Sequence, residues 1–324
     1  MRTPRFALAL VAGWLARDPA GAAETPPAPR WPAAVREIWF PSGTDGTRQP
    51  ALFFAPPGDE PRPLLVALHT WSSDYLRPTG APYAEGCIAR GWAFLYPDFR
   101  GPNFRPEAAG SELAIQDLLS AVRFAQQETN IDASRIYLVG ASGGGHMALL
   151  VAARAPDLWA GVSAWVPVTD LNAWYRECRQ RNLAYADQIA RIVGGDPLKD
   201  PAAARECERR SPLTHLAGAR GVPIDLNAGI QDGHTGSVPI SHTLLAFNRL
   251  ADGRDRLDDG QIRAFAGEPR VPDGLAGAPD DPAYGLKRVL FRRESGMVRV
   301  TVFDGGHEII HHAALAWLAA QQKR

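Results

Sequence analysis

Gly140-Ala141-Ser142-Gly143-Gly144 sets a serine among glycines, directly after the apolar run Arg135–Val139 and before the helical stretch His146–Ala155. A serine hydroxyl is a weak nucleophile unless a neighbouring base takes its proton. A tight strand-to-helix turn lifts such a hydroxyl above a sheet edge. Glycine is needed there, because side chains at 140 and 144 would meet the adjacent backbone. The following helix N-terminus also directs its dipole at an oxyanion forming beside the serine. The five-residue pattern is common, so its weight comes from the strand before it and the helix after it. Without them it would read as an ordinary glycine-rich turn.

Of the eight histidines, His307 is placed best to act as the base. Val298–Phe303 alternates as a strand, Asp304-Gly305-Gly306 turns, and His307 precedes the last helical stretch. An imidazole on that turn can swing over the sheet edge. A carboxylate must then orient it and stabilise the imidazolium. Asp232 is the first choice, in the loop Asp232–Pro239 after strand-like Ile224–Ala228. Asp170 follows the preceding strand and competes, whereas Asp304 stands too close to His307 in sequence to face it easily. A lone loop aspartate is often only a turn former.

Two backbone N–H groups complete the chemistry by binding the oxyanion. Gly143, next after the serine, supplies one. The other belongs to the loop His69-Thr70-Trp71-Ser72-Ser73-Asp74, from Thr70 or Trp71, with Trp71 preferred. Substrate contacts are expected from Trp71, His146, Trp165 and His234, the last at the pocket rim. His146 also has a plainer reading as a locally packed side chain. His311 and His312 lie on the closing helix, and His215 and His242 read as surface or helix residues.

Positioning these groups requires a particular succession of elements. Strand-like runs alternate with helical ones, the pattern of a mainly parallel sheet covered on both faces. Residues 36–40 and 50–55 read as an opening antiparallel pair. Leu64–His69 is a continuous apolar run suited to a central strand. A helix over 81–90, a strand over 92–96 and an amphipathic helix over 111–128 follow. Residues 161–166 and 224–228 are further strands, 240–250 a helix, and 288–291 and 298–303 two more strands before the helix 309–321. Residues 170–215 read as a charged helical excursion, with Asp196-Pro and Asp200-Pro as breaks. Residues 252–286, rich in Gly, Pro and Asp, read as a long surface excursion.

The N-terminus lies outside that plan. Met1–Arg5 is basic, Phe6–Ala16 is apolar, and Ala20-Gly21-Ala22 suits signal peptidase. The apolar run is shorter than the roughly 20 residues that span a bilayer. Residues 1–22 are therefore expected to be a signal peptide, 23–34 a linker, and 35–324 one catalytic domain, secreted or periplasmic. Removing 1–22 changes the formal net charge from 0 to −2, which suits neither nucleic acid nor an anionic membrane as partner. Export permits a disulfide. Cys178 and Cys207 share one polar stretch and form the expected pair, while Cys87 reads as a small buried residue. The cysteine spacing fits no zinc site, and no cofactor is called for.

Gly140-Ala-Ser-Gly-Gly-Gly-His-Met147, Asp232-Gly-His234 and Gly305-Gly-His307 together resemble the α/β-hydrolase superfamily, in its order serine, acid, histidine. The nearest branch is the prolyl-oligopeptidase-like and dienelactone-hydrolase-like group, whose D-x-R-G turn Asp98-Phe-Arg-Gly101 resembles. The likeness spans residues 36–320. Leu68-His69-Thr70-Trp71 departs from the usual His-Gly-Gly of the oxyanion loop, and no propeller domain precedes it. The resemblance implies an α/β-hydrolase fold and acyl transfer through an acyl-enzyme on Ser142. An exported carboxylesterase is the leading expectation, on a small-molecule or carbohydrate ester, with Trp71, Trp165, Trp174 and Tyr175 as a sugar platform. A secreted prolyl-oligopeptidase-like peptidase is the first alternative, and a catalytically silent binding protein on the same fold is the second.

Overall fold

The computed structural model describes residues 30–275 and 277–323. The expected signal peptide and most of the expected linker, through residue 29, lie outside the described residues.

One nine-stranded sheet organises the chain, in the order β1-β2-β4-β3-β5-β6-β7-β9-β8. β1 (Arg36–Pro41) and β2 (Arg48–Phe54) form the antiparallel edge. β4 (Ala93–Pro97), β3 (Arg62–Leu68), β5 (Ile131–Ala141), β6 (Gly161–Trp165), β7 (Ile224–Gly229) and β9 (Val298–Phe303) run parallel. β8 (Val289–Ser295) closes the far edge against β9, antiparallel. Every residue of β4, β6 and β7 is buried. Strands covered on both faces have no solvent side, so β4 reads as an unbroken apolar run, while the buried Ser163 of β6 and Asn227 of β7 both donate to Asp225 Oδ2.

Two apolar layers enclose the sheet. On one face, α2 (Glu112–Glu128), α3 (Gly143–Arg154) and α8 (Ser241–Leu250) pack Ile115, Leu118, Leu149 and Phe247 into the larger core. On the other, α1 (Ala81–Arg90) and α10 (His311–Ala319) bury Tyr83, Cys87, Leu315 and Leu318. Ser111 starts α2 by accepting from Ala114 N–H at 3.1 Å, satisfying one of the orphan donors of a helix start.

The excursion after β6 is four helices: α4 (Leu171–Gln180), α5 (Tyr185–Val193), α6 (Pro201–Arg210) and α7 (Pro212–His215). Its charged sequence hides a core of its own, with Leu171, Trp174, Ile189 and Ile192 packed on Trp71. Asp200 caps α6 with Pro201 at the first helical position, so this Asp-Pro pair starts a helix rather than breaking one. Cys178 and Cys207 carry free thiols, which corrects the expected disulfide. Both sulfurs are buried in that apolar cluster and act as small hydrophobes.

Residues 252–286 are more ordered than their composition suggests. α9 (Asp259–Gly267) begins on a reciprocal capping box between Asp258 and Gln261, and buries Ile262 and Phe265. Two buried positions in a nine-residue helix leave little periodic signal among so many glycines and aspartates. Among the described residues, no helix is long and apolar enough to cross a membrane.

Candidate active site

Ser142 sits where β5 gives way to α3, with φ 56° and ψ −118°, a conformation that side-chain-bearing residues seldom adopt. Its surroundings over-determine it. Ser142 N–H donates to the Trp165 carbonyl at 2.9 Å, and the Ser142 carbonyl accepts from His146 N–H at 2.9 Å. A Cβ on Gly140 would collide with the Gly144 carbonyl, and one on Gly144 would lie 2.5 Å from the Leu68 carbonyl. The motif's glycines are thus required by contact.

His307 hangs from the β9–α10 turn and Asp232 from the loop after β7, 75 residues apart in sequence. His307 Nδ1 stands 3.0 Å from Oδ1 and 3.0 Å from Oδ2 of Asp232. The Asp232 carboxylate is 1 % exposed and also accepts from Gly233 N–H at 3.1 Å. An acceptor at Nδ1 fixes the proton on that nitrogen and leaves Nε2 as the basic atom. Two backbone bonds join the loops, Ile230 N–H to the Phe303 carbonyl and Gln231 N–H to the Gly305 carbonyl, both 2.9 Å. Gly229 and Gly236 allow this approach, since a Cβ at either would strike Gly306 or the Asp232 carboxylate.

The loop after β3 passes against the serine turn. A Cβ on Gly143 would lie 2.6 Å from both the nitrogen and the Cα of Trp71, so the two backbones touch. The Trp71 carbonyl accepts from Asn103 N–H at 2.8 Å, and its indole donates to Gln188 Oε1 at 2.8 Å. The indole therefore ties this loop to α5 of the excursion. Thr70 and Trp71 both border the cavity that holds Ser142 and His307.

That cavity has a volume of about 540 Å³. Its walls are largely apolar and aromatic, with Trp71, Tyr83, Tyr96, Tyr185, Pro78 and Pro82 prominent. His311 also reaches it, and burial lowers that imidazole's pKa. The tyrosines and His311 were not foreseen as site residues. Their spacing in sequence is that of packing positions, and only the fold brings α1, β4, α5 and α10 to one opening.

Three expected substrate contacts fall elsewhere. Trp165 is fully buried, donates to Ser163 Oγ at 2.9 Å, and packs on Tyr284 and Phe303. His146 is also fully buried, and its Nε2 donates to the Arg210 carbonyl at 2.8 Å, pinning α3 to α6. Burial pushes its pKa down to about 4. His234 lies in the Asp232 loop, its N–H on the Gln231 carbonyl at 3.0 Å, and is not part of the cavity wall. Trp174 and Tyr175 are buried in the excursion's core, so of the four-residue sugar platform only Trp71 faces the cavity. Asp170 caps α4, and exposed Asp304 stands 3.5 Å from Arg288. Neither competes for His307. Among the described residues, no group of three His, Cys, Asp or Glu side chains is placed to hold a metal ion.

A strand-borne serine, then an aspartate, then a histidine on successive sheet-edge loops is a hydrolase order. Residues 87–268, over half the chain, match the prolyl oligopeptidase family. The chain belongs to the prolyl oligopeptidase family. The match spans Ser142 and Asp232 and stops short of His307. Within this family of serine hydrolases, the chain is 28% identical over 165 residues to the uncharacterized peptidase YtmA of Bacillus subtilis, covering 50% of this chain and 59% of that protein. It is 28% identical over 142 residues to acylamino-acid-releasing enzyme 1 of Oryza sativa, covering 40% of this chain and 18% of that one. A solved puromycin-hydrolyzing peptidase of Mycobacterium tuberculosis superposes with a TM-score of 0.58 at 16% identity, over 89% of this chain and 39% of that one. That identity speaks for the fold alone. The chain thus spans less than two thirds of each of these proteins.

Proposed function

We propose that this chain is a serine peptidase that cleaves amide bonds of short peptides or aminoacyl amides through an acyl-enzyme. Ser142 attacks the carbonyl carbon while His307 Nε2 takes its proton, and Asp232 holds the resulting imidazolium. The N–H groups of Gly143 and Trp71 bind the oxyanion. His307 then protonates the leaving amine, and water releases the acyl group by the same path. The observation that carries this reading is His307, held by buried Asp232 at 3.0 Å, in the wall of the cavity that also contains Ser142.

Family membership and the named peptidase relatives favour an amide over an ester as substrate. The carbohydrate-ester form of the carboxylesterase reading rested on the aromatic platform of Trp71, Trp165, Trp174 and Tyr175, and three of its four members are buried away from the cavity. The walls suit an apolar or aromatic side chain next to the scissile bond. The basic, apolar and small-residue succession over residues 1–22 supports export of the mature enzyme.

A panel of aminoacyl arylamides, blocked and free dipeptide amides, nitrophenyl esters and acetylated sugars tests the assignment. Turnover of amides with a bulky apolar acyl residue is expected, at higher kcat/KM than for acetylated sugars. Turnover confined to esters would overturn the peptidase reading and restore the esterase.

A further inference from the structure

His69 is fully buried immediately before the oxyanion loop, and both of its ring nitrogens face main-chain carbonyls. Nδ1 is 3.0 Å from the Thr70 carbonyl, and Nε2 is 2.9 Å from the Asp98 carbonyl. The ring stacks on Phe99, centroids 3.9 Å apart and planes 8° from parallel. Tyr96 meets it edge-on at 6.5 Å. Burial lowers its pKa and outweighs the two carbonyls and the Asp98 and Asp74 carboxylates, which favour the charged form. The neutral ring carries a single N–H, which can serve one of the two carbonyls at a time, and burying it is costly unless that bond is made.

The consequence lies in the next peptide unit. In a planar trans peptide the carbonyl of one residue and the N–H of the next point in opposite directions. The Thr70 carbonyl turned toward His69 therefore directs the Trp71 N–H away from it. That nitrogen is the one beside Gly143, 2.6 Å from the place a Cβ there would occupy.

We infer that His69 carries its proton on Nδ1 and is a positioning residue which, by donating to the Thr70 carbonyl, aims the Trp71 N–H at the oxyanion beside Ser142. It makes Trp71, not Thr70, the second oxyanion donor. It also anchors the loop to the Asp98–Gly101 turn, whose Phe99 and Arg100 have φ of 35° and 77°. This inference rests on Ser142 being the nucleophile.

The test is the rate of Ser142 phosphonylation by an alkyl fluorophosphonate, resolved into the inactivation rate constant and the probe's binding constant. Wild type, His69→Ala, His69→Gln and Ser142→Ala are compared per folded molecule. His69→Ala is expected to lower the inactivation rate constant by about 10²-fold, the scale of losing or misplacing one oxyanion donor, with the binding constant within about twofold. His69→Gln retains one amide donor and is expected to recover part of the loss, and it serves if the alanine variant fails to fold. A merely structural role would reduce the folded fraction and leave the rate constant unchanged. A rate constant within about threefold of wild type in both variants overturns the positioning role while leaving the nucleophile intact. Wild type that resists labelling at Ser142 overturns the functional reading and this inference together.

Discussion

His307 Nδ1 lies 3.0 Å from each carboxylate oxygen of Asp232, although the two residues come from different loops at the edge of the sheet. Backbone bonds between those loops and the glycines at 229 and 236 set the approach. The pair is therefore built into the fold before any substrate arrives.

Asp232→Asn tests what the carboxylate contributes. An asparagine can present its NH₂ group to Nδ1, which favours the wrong imidazole tautomer and leaves the imidazolium without a counter-charge. The expected loss in kcat is about 10³–10⁴-fold at neutral pH, with the melting temperature little changed. Steady-state kinetics on the best arylamide give the answer. A loss under tenfold would mean that another group orients His307.

Gly143→Ala addresses the contact between the serine turn and the Trp71 loop. The new Cβ would meet Trp71 backbone 2.6 Å away, so one loop must shift. Misplacing a donor by about 1 Å costs on the order of 10²-fold in rate. kcat is expected to fall on that scale, with KM changing far less. Unchanged kcat would place the oxyanion donors elsewhere.

His146 predicts a pH dependence of stability rather than of activity. Its pKa is about 4 in the folded chain, against an ordinary value near 6.5, because burial penalises the charged ring. Between those values the unfolded chain binds the extra proton and the folded chain does not. Stability therefore falls as pH drops from about 6.5 toward 4. The advantage of wild type over His146→Gln should shrink across that window, by on the order of 3 kcal/mol at most. Denaturant unfolding at stepped pH measures it. A pH-independent difference would contradict a neutral, buried His146.

How much of this was readable in advance depended on range. Ser142, Asp232 and His307 each follow a strand within a few residues, so local pattern was enough to place all three at the sheet edge. The larger elements were equally legible: α1 over 81–90 is observed as read, and β5 begins a few residues earlier than its apolar run suggests. What the sequence could not supply was long-range contact. Trp165 and Trp174 have the composition of a binding platform, yet packing against Phe303 and Trp71 removes them from the cavity. His146 looked like a pocket residue because it follows Ser142 closely, but helical geometry turns it toward Arg210 instead. Cys178 and Cys207 share an apolar core that the surrounding charges concealed.

The proposed reaction stands on Ser142 as the nucleophile that cleaves an amide. Turnover of an apolar aminoacyl arylamide by Ser142→Ala, against wild type at matched folded concentration, is its most direct measurement. The substitution removes the attacking oxygen and leaves the cavity in place, so kcat/KM is expected to fall by at least about 10⁴-fold. Activity within tenfold of wild type would contradict the mechanism.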